Sequence, residues 1–162
     1  MTLSSHRGGL VIFFSIFIAL VLAILPMPET MQPYRLQWST LVLIYWCLAI
    51  PERVGVGVSF LVGIMLDIIT GSLLGQHAMS LSIIAFITVK THQRIRVFPP
   101  WQQALFVIAL LLLDRMLYVW VEGAIGRPAK DTGFWIAPLL GGLLWPWLFI
   151  IMRDIRRRFH VS

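Results

Sequence analysis

Charged residues are scarce in this chain, and their scarcity excludes most soluble folds. Only 12% of the 162 residues are charged, whereas 59% are hydrophobic. A soluble domain is typically about half apolar and about one quarter charged. The composition therefore predicts an all-α integral membrane protein that forms one polytopic domain over residues 1–162, with no room for a separate soluble domain.

Cysteine and catalytic motifs are equally sparse. The single cysteine, Cys47, lies in an apolar run, which excludes a disulfide within the chain and favours a buried apolar role. The sequence contains no H-x-x-x-H, C-x-x-C, G-x-S-x-G or P-loop pattern. We therefore predict no catalytic residues, no metal site and no cofactor, and an intramembrane enzyme is the least favoured hypothesis. The net charge of +6 does not indicate nucleic-acid binding, because the charges lie mostly between apolar segments.

The apolar residues fall into six segments that predict transmembrane helices. These lie at about residues 9–25, 36–50, 54–70, 74–89, 101–121 and 134–152. A span needs about 20 residues, so the short second segment is expected either to be tilted little or to be partly wrapped by protein instead of lipid. After the fourth segment, Lys90, His92, Arg94 and Arg96 are predicted to form a basic loop.

The distribution of Lys and Arg predicts that both termini are cytoplasmic, because basic residues concentrate on the cytoplasmic side. Arg35, Arg127 and Lys130 are then on the opposite side. The chain ends in a predicted basic tail that serves mainly as a topology anchor, with anionic lipid as an alternative contact. The basic residues assigned to the cytoplasmic side are Arg7, Arg53, Lys90, Arg94, Arg96 and the tail residues Arg153, Arg156, Arg157 and Arg158.

The stretch at 63–75, GIMLDIITGSLLG, places a carboxylate in an apolar segment. It spaces Gly63, Asp67, Gly71 and Gly75 four residues apart. On a helix this spacing puts all four on one face, where another helix can approach closely. We therefore predict a helix-packing or partner interface along this face. The alternative is that Asp67 caps a helix end.

Further charges lie inside the apolar segments. Asp67, His77, Asp114 and Arg115 are expected at a similar depth and are predicted to form an intramembrane polar cluster. Because pairing reduces the cost of a charge in a membrane, an ion pair between Asp67 and Arg115 is the favoured arrangement. Four hydroxyls are predicted to bond to carbonyls of their own helices: Thr40, Ser80, Ser82 and Thr88.

Three stretches carry a resemblance to a known family. They are GIMLDIITGSLLG before a helix with a polar start, WQQAL at the start of segment five, and LLWPWLFIIMR before the basic tail. Together they resemble the MreD family of rod shape-determining proteins, over essentially the whole chain. That family is similar in topology to the membrane substrate-binding subunits of energy-coupling-factor transporters.

The resemblance implies a non-enzymatic scaffold of the cell-elongation machinery in the bacterial inner membrane, required for rod shape and lateral peptidoglycan synthesis. It implies MreC as the partner in the membrane and, through that complex, MreB, RodA and a cell-wall transpeptidase. Either the small-residue face or the stretch Trp145, Pro146 and Trp147 is expected to bind the partner's helix. The alternative function is a small-molecule substrate-binding subunit of a membrane transporter, which predicts a polar pocket lined by the intramembrane cluster.

Overall fold

Residues 4–127 and 132–161, the part of the chain described by a computed structural model, form six α-helices and one short 3-10 helix. The 3-10 helix, Glu29–Tyr34, lies between the first two α-helices, and Lys130 lies outside the described residues. The α-helices are α1 (Ser4–Ile24), α2 (Trp38–Ala49), α3 (Val56–Thr70), α4 (Gln76–Val97), α5 (Pro100–Ala124) and α6 (Thr132–Arg158).

The short helix α2 is the centre of the bundle. All of its residues from Ser39 to Ala49 are buried, and α1, α4, α5 and α6 contact it. Its length of about 18 Å is too short for a bilayer core of about 30 Å. Its sequence is apolar on every side, which is typical of a helix enclosed by protein. Of the two interpretations of the short second segment, the structure agrees with the one in which protein wraps it. Cys47 is buried as expected.

Helices α3 and α4 pack together more extensively than any other described pair. Gly63 permits this packing: a β-carbon at this position would lie 2.3 Å from the Cα of Ala78. No side chain fits in so small a gap without movement of the backbone. The four-residue spacing therefore does mark a helix contact at Gly63, but the contact is made within the chain.

The remainder of the predicted small-residue face does not exist as one helical surface. Helix α3 ends at Thr70, and Gly71 follows it in the left-handed region with a φ of 67°. Gly75, with a φ of 99°, precedes α4. The prediction of one helix face through Gly71 and Gly75 is wrong, because both glycines shape the turn between α3 and α4.

The prediction of a basic loop after segment four is also wrong, since Lys90, Arg94 and Arg96 lie in α4, which continues to Val97. The helix stops only before Pro99, as expected when a proline disfavours helical backbone in the preceding residue. Arg96, on this last part of α4, donates from Nε to the carbonyl of Leu48 at 2.6 Å and from Nη2 to the carbonyl of Ala49. It thereby satisfies carbonyls that the end of α2 leaves without helical partners.

The basic tail is likewise helical for most of its length, because α6 extends to Arg158. Arg153 lies over the ring of Phe149, with 6.0 Å between the guanidinium carbon and the ring centroid. Arg156 donates from Nε to the carbonyl of Val161 at 3.3 Å. Arg157 and Arg158 are exposed.

The two ends of the bundle can be identified from contacts between distant parts of the chain. A β-carbon on Gly8 would lie 2.8 Å from Nη1 of Arg53 and 3.4 Å from Cγ1 of Val161. The beginning of α1, the turn between α2 and α3, and the carboxyl-terminal end therefore meet at one end. At the other end, a β-carbon on Gly133 would lie 3.0 Å from Cβ of Pro33, which places the 3-10 helix against the start of α6.

The outside of the bundle is apolar. Phe13 and Phe17 on α1, Leu61 and Ile68 on α3, and Leu143 on α6 are all more than half exposed. Among the described helices, α5 and α6 are long and apolar enough to cross a membrane. An apolar exterior of this extent is typical of a surface that faces lipid or the helix of another protein.

Candidate functional site: buried carboxylates beside a polar cavity

Asp67 is a fully buried carboxylate that holds the turn between α3 and α4. Its Oδ1 accepts hydrogen bonds from Ser72 Oγ at 2.7 Å and from the backbone N–H of His77 at 2.9 Å. Its Oδ2 accepts from the backbone N–H of Gly75 at 2.8 Å and lies 3.4 Å from the nitrogen of Ala78. These N–H groups belong to the start of α4, where a helix favours negative charge. The structure thus agrees with the alternative in which Asp67 caps a helix end.

The ring of His77 completes this arrangement. Its Nδ1 lies 2.7 Å from Oδ1 of Asp67 and 3.2 Å from Oγ of Ser72. A catalytic serine triad needs the carboxylate and the hydroxyl on opposite ring nitrogens, so that the ring can take the serine proton. Here both face the same nitrogen, so this Ser–His–Asp group is arranged to hold a turn and not to activate Ser72.

Asp114 is the second buried carboxylate, and it lies at the junction of three helices. Gln37 Nε2, just before α2, donates to Oδ2, and Ser80 Oγ of α4 donates to Oδ1. Thr40 Oγ1 of α2 donates to Oδ2 at 3.3 Å. The prediction that Thr40 and Ser80 bond within their own helices is therefore wrong. It is confirmed for Ser82 and Thr88, which donate to the carbonyls four residues earlier.

Arg115 does not pair with Asp67, so the predicted ion pair is wrong. Arg115 Nη2 donates to the carbonyl of Arg35 at 2.8 Å, and its guanidinium carbon lies 4.2 Å from the centroid of the Phe134 ring. The side chain of Arg35 in turn donates to the carbonyl of Ala23 at 2.6 Å, near the end of α1. The reason for the difference is that the turn after α3 and the start of α4 supply the donors to both oxygens of Asp67. No donor from α5 is needed.

The predicted four-residue cluster is thus divided into two networks that border one cavity. The cavity has a volume of about 660 Å³, and His77, Asp114 and Arg115 line it. Asp67 is buried behind Ser72 and His77 and bonds to both of them. The cavity lies at the end of the bundle that carries the 3-10 helix.

A third buried carboxylate, Glu122, lies in the last turn of α5. Its Oε1 accepts from Nε2 of Gln76 at 3.2 Å and from Nη1 of Arg127 at 3.4 Å. Gln76 lies in the first turn of α4, so this contact joins α4 to α5. The sequence offers only the amide of Gln76 at the start of α4 as a sign of this contact. An amide at a helix start has too many other partners to indicate a bond to Glu122.

The stretch Trp145, Pro146 and Trp147 divides between the inside and the outside of the protein. Trp145 is fully buried, and its Nε1 donates to Oε1 of Gln103 at 3.4 Å. Pro146 is half-buried inside α6, whereas Trp147 is 70% exposed. Trp145 is therefore a core residue and is not available to a partner, whereas Trp147 is.

Within residues 4–127 and 132–161, no three His, Cys, Asp or Glu side chains come together in a group that could hold a metal ion. The polar groups that do come together are bonded mainly to one another and to backbone atoms. This arrangement fastens helices to one another beside the polar cavity.

Comparison with known proteins gives two matches that agree. The model of the family described as rod shape-determining protein MreD matches residues 5–155. The chain is also similar to the Rod shape-determining protein MreD of Haemophilus influenzae, with 40% identity over 141 residues that cover 87% of each chain. No solved structure matches significantly.

Proposed function

This chain belongs to the rod shape-determining protein MreD family, and we propose that it acts as a non-enzymatic scaffold of the cell-elongation machinery. In this role it is required for rod shape and lateral peptidoglycan synthesis. The observation that carries the proposal is the contrast between the inside and the outside. The buried carboxylates are engaged within the chain, while the outer faces of the helices present apolar side chains to the membrane.

The proposed topology is six passes through the bacterial inner membrane with both termini in the cytoplasm. Its support is the convergence of Gly8, Arg53 and Val161 at one end of the bundle. Basic residues concentrate at that end, and such residues stay on the cytoplasmic side. The arginines at the end of α6 are then placed to contact anionic lipid headgroups.

The proposed partner in the membrane is the single helix of MreC, which links the chain to MreB, RodA and a cell-wall transpeptidase. Gly63 is already occupied by Ala78, so the binding surface has to lie elsewhere. We place it on the outward face of α6, where Leu143 and Trp147 are 73% and 70% exposed and Ile150 is 45% exposed. These residues are three or four positions apart and therefore share a face.

The experiment compares two exposed tryptophans. Trp147→Ala is expected to reduce the MreC recovered with the purified chain by about tenfold, since a large aromatic anchor contributes strongly to an interface. Trp120→Ala on α5 is the matched control, because Trp120 is 71% exposed but lies on a different helix. Equal MreC recovery with both variants would contradict the assignment of the α6 face.

The same purification tests the scaffold role itself. MreC together with cell-wall synthesis proteins is the expected set of partners, and loss of the chain is expected to turn rods into spheres. Recovery of an ATPase pair and a coupling membrane subunit instead of MreC would contradict the scaffold and indicate a transporter.

A further inference from the structure

We propose that the cavity beside Asp114 and Arg115 is a binding site for an oxyanion, a phosphate or carboxylate group carried by a small molecule or a lipid headgroup. Arg115 is the residue that contacts the oxyanion. The proposal does not depend on MreC binding.

The size and position of the cavity suit such a ligand. Its volume of about 660 Å³ lies within the range of about 300–1,000 Å³ that is typical of small-molecule sites. Its walls come mainly from the segment around the 3-10 helix, the start of α2, the turn after α3, the second half of α5 and the first turn of α6. In the proposed topology, this end of the bundle lies at the depth of the lipid headgroups.

Arg115 is an incompletely satisfied cation in this wall. Its Nη2 donates to the carbonyl of Arg35, but its Nε is buried and has no hydrogen-bond partner among the described residues. A buried N–H of a charged group without an acceptor is unfavourable, so an acceptor at this position stabilises the protein. Guanidinium groups bind carboxylate and phosphate through paired N–H donors, so an oxyanion supplies the missing acceptor.

The neighbouring carboxylate does not neutralise Arg115 through a hydrogen bond. Asp114 is occupied by Gln37, Thr40 and Ser80 through both of its oxygens. Arg35 also lines the cavity and donates to uncharged backbone carbonyls, whereas Arg127, another lining residue, pairs with Glu122. Glu29 and Asp114 also line the cavity, but neither Arg35 nor Arg115 is hydrogen-bonded to a carboxylate among the described residues, so an anionic ligand can pair with them.

Gln37 provides a second contact, a hydrogen-bond acceptor, whereas Arg115 provides donors. Its Nε2 donates to Asp114, which fixes the orientation of the amide, and its Oε1 is buried without a partner in the described part of the chain. This oxygen is a hydrogen-bond acceptor, and Gln37 lines the same cavity as Arg115. The site therefore suits a ligand that carries an oxyanion together with a hydroxyl or amino donor.

The test uses the full chain purified in an uncharged detergent. Inorganic phosphate and citrate are titrated as soluble probes, and the shift of the thermal unfolding midpoint is recorded. In parallel, the chain is placed in phosphatidylcholine vesicles with or without 20% phosphatidylglycerol, on the order of a natural anionic fraction, and retained lipid is counted by native mass spectrometry. A soluble anion that stabilises the chain indicates a water-soluble ligand, whereas retention of phosphatidylglycerol alone indicates a lipid headgroup.

Three variants decide whether either probe binds at the cavity. Arg115→Gln is expected to weaken binding by about tenfold or more, because a charge-assisted contact is lost. Arg94→Gln removes the same charge from an exposed arginine near the end of α4, outside the cavity lining, and is expected to bind as the unaltered chain does. Ala23→Phe fills the cavity from α1 without a change of charge and is expected to abolish binding, which keeps the test decisive if Arg115→Gln does not fold.

The proposal is overturned if neither the soluble anions nor phosphatidylglycerol binds. It is also overturned if binding persists in Arg115→Gln and Ala23→Phe, since the probe then binds elsewhere. Neither assay contains MreC, so failure here leaves the scaffold function untouched.

Discussion

The buried carboxylates Asp67 and Asp114 reach the same buried state by different routes. Asp67 is satisfied by residues that follow it closely, with His77 only 10 positions further along the chain. Asp114 is satisfied by Gln37 and Ser80, at separations of 77 and 34 residues. The Asp67 site therefore forms with the α3–α4 hairpin alone, whereas the Asp114 site exists only when α2, α4 and α5 are packed together.

The donors also differ in their freedom. Asp67 accepts from backbone N–H groups of Gly75 and His77, whose directions are set by the start of α4. Asp114 accepts from side chains, including the rotatable hydroxyls of Thr40 and Ser80. Backbone N–H donors cannot turn away when the carboxylate that they face is replaced. Hydroxyl groups can rotate and either donate to or accept from the new side chain.

The largest effect is expected where the α3–α4 hairpin itself is broken. Gly63→Leu should abolish the folded chain, because even a β-carbon would lie 2.3 Å from the Cα of Ala78. Overpacking commonly costs about 1–3 kcal/mol, and a clash with backbone lies at or above the upper end. The measurement is the fraction of chain that elutes as a monodisperse species in detergent.

Gly57→Leu is the control for this substitution on the same helix. No atom lies within 4 Å of a β-carbon at Gly57, so this variant should yield as much folded chain as the unaltered sequence. Equal yields for Gly57→Leu and Gly63→Leu would show that α3 and α4 are not in close contact.

The next largest effect on the free energy of unfolding is expected when each carboxylate is replaced by its amide. In Asp67→Asn, one of the two fixed N–H groups must face the new NH2 group, because Gly75 and His77 donate to different oxygens. The expected loss in the free energy of unfolding is about 1–3 kcal/mol. In Asp114→Asn, Ser80 can rotate and accept from the NH2 group, so the expected loss is below about 1 kcal/mol. Thermal unfolding of both variants in one detergent checks the order, and a reversed order would refute the distinction.

A smaller effect is expected from a single hydroxyl. Ser80→Ala removes the donor to Oδ1 of Asp114 and should cost about 1–2 kcal/mol, since it leaves a buried carboxylate oxygen unsatisfied. Ser82→Ala, the control two residues along the same helix, removes only a bond to the Ala78 carbonyl and should cost less than about 0.5 kcal/mol. The unfolding midpoints of the two variants should therefore differ, and identical midpoints would remove Ser80 from the Asp114 network.

The smallest effect concerns Glu122, a carboxylate that accepts from one amide side chain and one arginine side chain. Arg127→Gln should change the free energy of unfolding by less than about 0.5 kcal/mol, because the ion pair is 3.4 Å long and the Arg127 side chain is 53% exposed. Glu122 keeps the bond from Gln76 at 3.2 Å. A destabilisation comparable to that of Asp67→Asn would mean that the exposed arginine, and not the amide, holds Glu122.

The features that follow from local physics were predictable from the sequence. The short length of the second segment indicated enclosure by protein as one of two alternatives, and the position of Cys47 in an apolar run indicated that it is buried. The cap at Asp67 was one of two alternatives, because its donors lie in the following turn. The spacing alone did not decide between them, since glycines four residues apart suit a helix face as well as a turn.

The features that depend on distant contacts were not predictable. Nothing near Asp114 in the sequence indicates Gln37 or Ser80, because a polar residue in a helix has the same appearance whether it bonds locally or across the bundle. Arg115 bonds to a backbone carbonyl in a loop, and backbone acceptors have no signature in the sequence. The sequence also predicts too early an end for α4. The polar residues 90–96 suit a loop as well as an exposed helix, and in the structure they extend the helix to Val97.

The most direct test of the scaffold account is to express Asp67→Asn and Asp114→Asn in cells that lack the native chain. Cell shape and captured MreC are both measured relative to the amount of folded chain in the membrane. The account predicts that the carboxylates act only through folding, so rod shape and MreC capture per folded chain should equal those of the unaltered sequence. Spherical cells at full levels of folded, MreC-bound Asp67→Asn would contradict it and assign the carboxylate a chemical role.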